Sequence, residues 1–376
     1  MKKLISVLLA TLMFATLLMG GVAASADSEL PTFDEVYPVK IGIGPYPMYQ
    51  VFNVAKEWGL DKLCGIDITI VPFTNSAPGY QANVRGDIDV SYGCVDEQVA
   101  VMKGCPDIRH FIPLGFYKGF FFVGRAEDIK PWEDLKAEMG LEAAREYRRN
   151  EFKGKTICII PQKEPLIIDM LEQVGLGADD VNFMEFADDA KAATAFLAGN
   201  GDFYIGGIPQ QTYLLNQGNG AFIDAGGYEI LGPAGAWYDT FSSTDEFMIN
   251  NREAALRTLA CCYLAEKKFN EDPEKFAEVA AAGLSKISGA EFSVDEYLEM
   301  QTIYDIFQTL EECEKNVYNP DSDYYWRKPV EYCINNAIKV GTLDESYTAD
   351  KYFGEAEKLY YELLEREDLM QIIAEG

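Results

Sequence analysis

The sequence predicts an α/β protein of two lobes with a helical C-terminal part. Short apolar segments with strand character alternate with helically spaced segments between residues 39 and 205, and from about residue 250 onward only helical spacing remains. Strands that alternate with helices are typical of a layer built on a mostly parallel sheet. A chain of 376 residues is also longer than one hydrophobic core usually serves, which favours two lobes.

The N-terminus has the features of a signal peptide, which we assign to residues 1–26. Met1-Lys2-Lys3 is a short basic region, Leu4 to Met19 is almost wholly apolar, and Ala24-Ser25-Ala26 offers small residues at the cleavage position. The apolar run is shorter than the ~20 residues that span a bilayer as a helix, which argues against a membrane anchor. No cysteine lies near the cleavage point. We therefore expect an exported, soluble chain without a lipid anchor.

The elements follow from the spacing of the apolar residues. In the first unit we predict strands over 39–43, 66–72, 87–92, 109–114 and 119–123, and helices over 48–60, 77–84 and 96–103. In the second unit we predict strands over 155–160, 181–185 and 202–205, and helices over 165–174 and 189–198. Further helices are predicted over 251–269, 273–286, 293–316, 326–340 and 350–374. The charged segment 126–152 is predicted to be a helical, solvated insertion between the units.

A weak repeat relates the two units. The segment 85–93 (RGDIDVSYG) follows one predicted helix, and the segment 199–207 (GNGDFYIGG) follows another. In each, a helix stops at a glycine, an acidic residue opens a buried strand, and a glycine stands where the strand meets the next loop. Two such units in tandem direct the C-terminal ends of their strands toward one cleft, where ligands bind in open α/β sheets.

The composition excludes several functions. Asp and Glu number 61 against 32 Lys and Arg, a net charge of −29, which argues against nucleic acid and anionic membranes as partners. The one histidine, His110, makes a His-based triad or a Cys/His zinc site improbable, so we expect no metal and no cofactor. No nucleophile and base stand at a recognisable spacing, which argues against an enzyme.

The eight cysteines form no CxxC pair. Export permits disulfides, but a core of this size does not need them, and Cys158 stands in an apolar strand where a small buried thiol is ordinary. We expect mostly free, buried thiols, and if one bridge forms, Cys313 and Cys333 are the pair we favour. The disulfide state is otherwise left open by the sequence.

Four segments carry a resemblance to a known family: Val39-Lys40-Ile41-Gly42, Arg85-Gly86-Asp87-Ile88-Asp89-Val90, Phe152-Lys153-Gly154-Lys155-Thr156-Ile157, and Leu197-Ala198-Gly199 followed by Gly201-Asp202. Through them the chain resembles the nitrate/sulfonate/taurine-type solute-binding proteins and the thiamine-precursor-like group allied to them. The resemblance covers roughly residues 39–250. It implies a two-lobed type II periplasmic-binding-protein fold and the role of extracytoplasmic receptor for an ABC importer.

The resemblance also implies how the protein is organised. Lobe 1 would comprise residues 39–123 and 234–376, and lobe 2 residues 124–233. The chain would cross between the lobes near Val123-Gly124-Arg125 and near Gly226 to Pro233, where a hinge would let ligand binding close the cleft. The expected partners are a small-molecule ligand and the permease and ATPase of the importer, with the binding protein itself a monomer in the periplasm or at the cell surface.

The loops that follow the strands supply the predicted binding site. Aromatic walls would come from Tyr46, Tyr92, Trp237 and Tyr238, and polar groups from Thr74, Asn75, Ser76, Gln162 and Gln210. Asp96 and Asp239 would meet a cation or a ring N–H. Relatives often have a Gly/Ser-rich turn suited to an anion after the strand at 155–160, whereas this chain has Pro161-Gln162-Lys163-Glu164-Pro165, in which Glu164 would repel an anion and Lys163 would attract one.

The predicted ligand is therefore a small aromatic, heterocyclic or amine-bearing compound, with a sulfonate-like or nitrate-like anion as the next choice. Two other functions stay open. One is an enzyme on the same fold, of the pyrimidine-precursor or menaquinone-pathway type, because a fold does not determine a function. The other is a module that senses a ligand without transporting it, because sensing needs the same closing cleft.

Overall fold

The computed structural model describes residues 30–231, 237–322 and 324–376, so the predicted signal peptide lies outside the described residues. The strands are β1 (Tyr37–Ile43), β2 (Ile66–Pro72), β3 (Ser91–Cys94), β4 (Ile108–Tyr117), β5 (Phe122–Arg125), β6 (Thr156–Ile159), β7 (Asn182–Glu185), β8 (Phe203–Ile205), β9 (Phe222–Gly226), β10 (Trp237–Thr244) and β11 (Asp305–Phe307).

The helices of the first half are α1 (Val51–Glu57), α2 (Leu60–Leu63), α3 (Ser76–Val84), α4 (Val95–Val101), α5 (Trp132–Met139), α6 (Leu141–Glu151), α7 (Glu164–Glu172), α8 (Asp189–Leu197), α9 (Ile208–Asn216) and α10 (Tyr228–Leu231). The later helices are α11 (Asp245–Asn250), α12 (Arg252–Glu271), α13 (Pro273–Ser288), α14 (Val294–Glu299), α15 (Leu310–Glu312), α16 (Arg327–Lys339), α17 (Ala349–Phe353), α18 (Ala356–Glu365) and α19 (Glu367–Glu375). Short 3₁₀ turns cover Met48–Gln50, Pro161–Lys163 and Ala178–Asp180, and π-helical turns cover Met300–Tyr304 and Cys313–Val317. Within the described ranges, no helix has both the length and the apolar content of a membrane span.

The first lobe contains a two-stranded and a four-stranded sheet, which a single bridge joins and which we together call the first sheet, and the second lobe contains a five-stranded second sheet. In the first lobe β1 pairs in parallel with β2, a parallel bridge from Ile41 to Val90 leads to β3, and the order continues β3-β10-β4-β11 with antiparallel pairing. In the second lobe the order is β7-β6-β8-β5-β9. There β6 runs parallel to β7 and β8, while β5 runs antiparallel to β8 and β9. The predicted two-lobed α/β fold is confirmed, with sheets of mixed direction.

The sheet pairing locates the crossings between the lobes. Strand β4 ends at Tyr117 in the first sheet, and β5 begins at Phe122 in the second. The first crossing is therefore the segment 118–121, because Val123 and its two successors, where we expected it, pair with β8 and β9. The second crossing follows Gly226, and the predicted lobe boundary at 233/234 lies outside the described residues.

The predicted repeat corresponds to one hydrogen-bonding pattern that occurs in both units, in which an aspartate makes two hydrogen bonds to the backbone of one other residue. Asp89 donates its amide to the Lys40 carbonyl (2.9 Å) and accepts from the Lys40 amide through its carboxylate (2.7 Å). Asp202 makes the same two bonds to Thr156, each at 2.8 Å. The equivalent acids are thus Asp89 and Asp202, two residues away from the alignment through Asp87 that the sequence suggested. In both units a helix begins six residues after the acid, at α4 and at α9.

The C-terminal helices return to the first lobe, where α12 is buried along most of its length and packs against α1, α18, α19 and β1. The helix predicted over 293–316 is wrong as a single element. It is interrupted by β11, which pairs with the edge of β4. The strand predicted over 87–92 begins later, at Ser91, and the two strands predicted between 109 and 123 are instead β4, the crossing and β5.

All eight cysteines carry free thiols, seven of them buried, and Cys313 and Cys333 are not bridged.

Candidate functional site: an acidic cleft between the lobes

A cleft between the two lobes encloses about 410 Å³ of space, including its opening to solvent. The 3₁₀ turn after β1, the start of α4, and the ends of β10 and β11 line it from the first lobe. The turn after β6 and the starts of α8 and α9 line it from the second lobe, and the first crossing supplies Phe120. Strands β1, β4 and β6 contribute their C-terminal ends and the helices their N-terminal ends, while the antiparallel strands β10 and β11 contribute their N-terminal ends. The cleft therefore lies at the edge where open α/β sheets bind ligands.

Tyrosine rings form one wall of the cleft. Tyr46 and Tyr49 follow β1 and meet edge to face, with ring centroids 6.1 Å apart. Tyr92 lies behind both, with its centroid 4.9 Å from that of Tyr49. The ring of Tyr92 covers Gly44 so closely that a Cβ atom there would lie 2.1 Å from it. The wall is therefore pre-formed, and it offers flat apolar faces with hydroxyl tips.

Asp189 projects from the second lobe at the start of α8. Its Oδ2 atom accepts hydrogen bonds from the Tyr46 hydroxyl (3.0 Å) of the other lobe and from the Gly207 amide (2.9 Å). No donor among the described residues reaches its Oδ1 atom, although the residue is buried. Burial raises the pKa of Asp189 to about 6, and the nearby Lys163, the Tyr46 hydroxyl and the Gly207 amide oppose that rise.

Gly207 is the N-cap residue of α9, so its amide is at the positive end of that helix. A Cβ atom on Gly207 would lie 2.4 Å from the Tyr46 ring and 2.9 Å from the Asp189 carboxylate. A glycine at this position therefore lets the carboxylate approach the helix end. Helix N-termini are ready-made anion sites, and here a side chain of the protein itself supplies the anion.

Lys163 is buried on the second-lobe side of the cleft and pairs across it with the first lobe. Its ammonium nitrogen lies 2.8 Å from the Asp96 carboxylate, 3.8 Å from Glu97 and 3.5 Å from the Cys94 sulfur, and it also lies over the Phe120 ring. Burial disfavours its charge, but Asp96, Cys94 and Glu97 outweigh burial and raise the pKa of Lys163. Lys163 is thus a charged link between the lobes.

Asp239 and Asp305 form a pair of facing carboxyl groups on the floor of the cleft. Their strands, β10 and β11, flank β4 on its two sides, which brings the two carboxyls within hydrogen-bonding reach of each other. Burial raises the pKa of Asp239 to about 7, while the Tyr49 hydroxyl opposes that rise. Burial and the Asp239 carboxyl raise the pKa of Asp305 well above its usual value. Carboxyls this close share one proton near neutral pH.

The lining of the cleft is therefore acidic. Glu97, Asp189, Asp239 and Asp305 stand against one base, Lys163, which already contacts two carboxylates. Burial also raises the pKa of Glu97, although Lys163 opposes the rise. No group of three or more potential ligand residues with the geometry of a metal site occurs in the part of the chain that the structure describes. Aromatic faces beside carboxylates suit an organic cation.

Four of the predicted site residues lie in or beside the cleft. Tyr46 and Asp239 line it, and Tyr92 packs behind the wall. Asp96, which we expected to meet a cation, does meet one, but the cation is Lys163.

The predicted polar residues of the 74–76 turn lie outside the lining of the cleft. Thr74 is exposed. Asn75 caps α3 and donates across the lobes to the Ala187 carbonyl (3.3 Å). Ser76 is buried and hydrogen-bonds the Glu97 side chain.

Glu164, Gln210 and Tyr238 lie outside the lining of the cleft. Glu164 faces Glu185, and burial together with that second carboxyl raises its pKa to about 7. Gln210 is buried within α9. The Tyr238 hydroxyl donates to the Tyr324 carbonyl (2.6 Å), because successive residues of β10 point to opposite faces and Asp239 takes the cleft side. The side chains of Gln162 and Trp237 lie outside the described structure.

Sequence reasoning missed Tyr49, Glu97, Asp189 and Asp305 as lining residues. Asp189 carried a signal, since it begins a predicted helix in the second unit. Asp305 carried none, because β11 interrupts a segment whose spacing is helical. Lys163 was recognised as a departure from the family pattern, but its pairing with Asp96 depends on tertiary structure.

Neither a protein-family model nor a curated protein matches the chain. Among solved structures, the chain is similar to the periplasmic aliphatic sulphonate binding protein SsuA from Escherichia coli, with a TM-score of 0.62, 15% identity, and coverage of 84% of this chain and 91% of that one. It is similar to the periplasmic nitrate-binding protein NrtA from Synechocystis PCC 6803, with a TM-score of 0.60, 16% identity, and coverage of 90% and 89%. It is also similar to the desulfurization enzyme DSZB, with a TM-score of 0.55, 13% identity, and coverage of 88% and 99%.

At these identities the similarity establishes the fold. Both the sulphonate-binding and the nitrate-binding proteins are periplasmic binding proteins, as the sequence resemblance predicted. The enzyme among the similar structures shows that the same fold also supports catalysis. The chain has the two-lobed fold of the periplasmic binding proteins, with an acidic, tyrosine-walled cleft between its lobes.

Proposed function

We propose that the protein is the extracytoplasmic solute-binding component of an ABC importer, and that it binds a small organic molecule with a protonated amine beside an aromatic or heterocyclic body. The fold and the residues that resemble the solute-binding group support the role. The acidic cleft supports the ligand class. Four carboxyl side chains line it against one lysine, and that lysine is already paired.

An inorganic anion or a sulfonate fits this cleft poorly. The amide at the N-terminus of α9, the group that would hold an anion, already donates to Asp189. The buried lysine, the other group that would attract an anion, is bound by Asp96. An anion would also be brought against the Asp239–Asp305 pair, and like charges in a buried site repel strongly. A cation would instead be attracted by the Asp189 carboxylate and by the Asp239–Asp305 pair.

The mechanism follows from the contacts that cross the cleft. Lys163 to Asp96, Tyr46 to Asp189, and Asn75 to the Ala187 carbonyl each join one lobe to the other. A ligand held by groups of both lobes favours the closed form over the open one, by as much as its affinities for the two forms differ. The permease and ATPase would recognise that closed form and accept the ligand from it.

A thermal-shift screen of the mature protein tests this proposal. The panel holds aromatic and heterocyclic amines, aliphatic amines, sulfonates, nitrate and uncharged heterocycles. A ligand at 100 times its Kd adds about 2.7 kcal/mol of stability, which a melting curve resolves. We expect hits among the amines and compaction by small-angle X-ray scattering with the best of them. Hits confined to sulfonates or nitrate would overturn the ligand class, and a tight ligand without compaction would contradict the closing mechanism.

One observation favours an enzyme as the second candidate. The facing carboxyls of Asp239 and Asp305 share a proton, which is an arrangement that can donate and accept protons at one site. Prolonged incubation of the best ligand with the protein, followed by mass spectrometry, distinguishes the two functions. A binding protein returns the ligand unchanged, whereas an enzyme converts it. A ligand-sensing module is distinguished by its gene neighbours, which would include a receptor kinase and lack a permease.

A further inference from the structure

We propose that the ligand is a dication, with one ammonium group held by Asp189 of the second lobe and the other by the Asp239–Asp305 pair of the first lobe. This inference rests on the proposed function, because it assigns the charge and length of the ligand within the same cleft. The basis of the inference is that some buried carboxyl groups of the cleft are in contact with a cation of the protein and others are not.

Two of the acids near the cleft share a cation that the protein supplies. The Lys163 ammonium lies 2.8 Å from Asp96 and 3.8 Å from Glu97. Ser76 also hydrogen-bonds the Glu97 side chain. Asp96 and Glu97 therefore have partners in the folded protein, and a ligand cation is not needed to hold either of them.

The Asp239–Asp305 pair lacks such a partner. A pair that shares one proton carries one negative charge, and Asp305 is only 1% exposed. In the described part of the chain, no cation contacts either carboxyl oxygen of Asp305, and the two hydrogen-bonding groups that act on it, the Met48 amide and the Asp239 carboxyl, carry no positive charge. An ammonium group has three N–H donors, so a single one can serve both carboxyls and compensate the shared charge.

Asp189 provides the second anionic group, and it belongs to the other lobe. Its Oδ2 atom is held by the Tyr46 hydroxyl and the Gly207 amide, which are neutral donors. Its Oδ1 atom has no donor among the described residues, and the residue is 7% exposed and lines the cavity. The geometry thus leaves one open acceptor in each lobe. The cation that acts on both groups from a distance, Lys163, is itself held by Asp96 and Glu97.

The tyrosine wall lies between these two acceptors. The Tyr46 hydroxyl donates to Asp189, and the Tyr49 hydroxyl lies against Asp239. The two rings are neighbours, with centroids 6.1 Å apart. A short aliphatic or aromatic spacer between two ammonium groups would therefore lie along ring faces, which attract both apolar surface and cations. A dication of this kind can bind the anionic group of each lobe with one of its two ends, whereas a monocation can bind the anionic group of only one lobe.

Isothermal titration calorimetry with a matched series of amines tests the inference. The probes are propane-1,3-diamine, butane-1,4-diamine, pentane-1,5-diamine and 1,4-bis(aminomethyl)benzene, with butylamine and benzylamine as the matched monoamines. A hydrogen bond to a charged group contributes about 1.5–3 kcal/mol, so we expect the best diamine to bind about ten- to hundredfold more tightly than its monoamine.

Variants then assign the two ends. D189N and D305N should each remove most of the preference for the diamine over the monoamine. D179N removes the same charge at an exposed position outside the cleft and should leave that preference unchanged. Circular dichroism melting shows whether each variant is folded. Because the two substitutions lie in different lobes, the inference can still be tested with one variant if the other does not fold.

The outcomes separate this inference from the proposed function. Monoamines that bind as tightly as their diamines would overturn the dication and leave the organic cation intact. A diamine preference that survives both D189N and D305N would overturn the assignment of the two ends. Binding of sulfonates or nitrate with no binding of any amine would overturn the dication and the proposed ligand class together.

Discussion

The carboxylate of Asp189 accepts a hydrogen bond from the backbone amide of Gly207 at 2.9 Å, at the N-terminus of α9. This contact places a fixed negative charge at a helix N-terminus, a position that favours anions in general. It also sets the position of the open oxygen of Asp189 within the cleft. Several consequences of this arrangement can be measured.

Replacement of Gly207 by alanine should disturb the cleft directly. The added Cβ would lie 2.4 Å from the Tyr46 ring and 2.9 Å from the Asp189 carboxylate. Overpacking of this kind costs about 1–3 kcal/mol, and we expect that loss in urea denaturation together with weaker ligand binding. G177A is the matched control, since Gly177 has an ordinary φ of −144° and open space around its Cβ position. Equal stability and affinity of G207A and the parent protein would contradict the observed packing.

Lys163 should stabilise the folded protein mainly through Asp96, its nearest carboxylate. Removal of one partner from a buried ion pair costs about 3–5 kcal/mol, because the other charge stays buried and uncompensated. We therefore expect K163M to be strongly destabilised and the double variant K163M/D96L to recover much of that loss. A double-mutant cycle measured by denaturant unfolding gives the coupling free energy. Additive effects of the two substitutions would mean that the two side chains do not interact.

The stability of the ligand-free protein should fall as the pH rises from about 4 to about 7. The pKa values of Asp189 (about 6) and Asp239 (about 7) are raised by burial, so over this window the folded protein holds protons that the unfolded chain releases. D239N removes one of these groups and should flatten the dependence of the melting temperature on pH. An exposed substitution, D179N, should leave the slope as it is. An unchanged slope in D239N would contradict the raised pKa.

Thiol reagents should modify one cysteine before the other seven in the native protein, and all eight after unfolding. Burial raises the pKa of Cys333, so we expect its reaction to be slower than that of an exposed thiol. Seven thiols are buried, and Cys333 alone is half-buried, in an apolar groove that α4, α7 and α16 form. Titration with a chromogenic disulfide before and after denaturation counts both populations, and C333S should abolish the fast phase. More than one fast-reacting thiol in the native state, or fewer than eight after unfolding, would contradict this distribution.

Much of the fold could be predicted from local patterns. The apolar segment Ile66–Pro72 forms a strand with the predicted bounds, and the glycines at 86 and 199 end helical segments with positive φ, as their chemistry requires. Local patterns failed where pairing partners decide the structure. Asp305 lies in a helically spaced segment, yet three residues form β11 because the edge of β4 offers hydrogen bonds to them.

The site was less predictable, for a related reason. The place of Tyr46 follows from its position after β1. Asp239 lies within β10, which had been expected to be a loop, so the alternation that separates Tyr238 from Asp239 could not be foreseen. The pairing of Lys163 with Asp96 joins residues 67 positions apart in different lobes. Such pairs depend on how the lobes meet, which no single segment encodes.

The two sheets differ in which parts of the chain supply their strands, and this difference affects the order in which the lobes can fold. The second sheet is built from one continuous stretch, from β5 to β9, whereas the first needs β10 and β11 from the later part of the chain. A chain that emerges from its N-terminus can complete the second lobe while the first still lacks half of its four-stranded sheet. We therefore expect the second lobe to fold first, with ligand capture possible only after β10 and β11 have emerged and joined the first lobe.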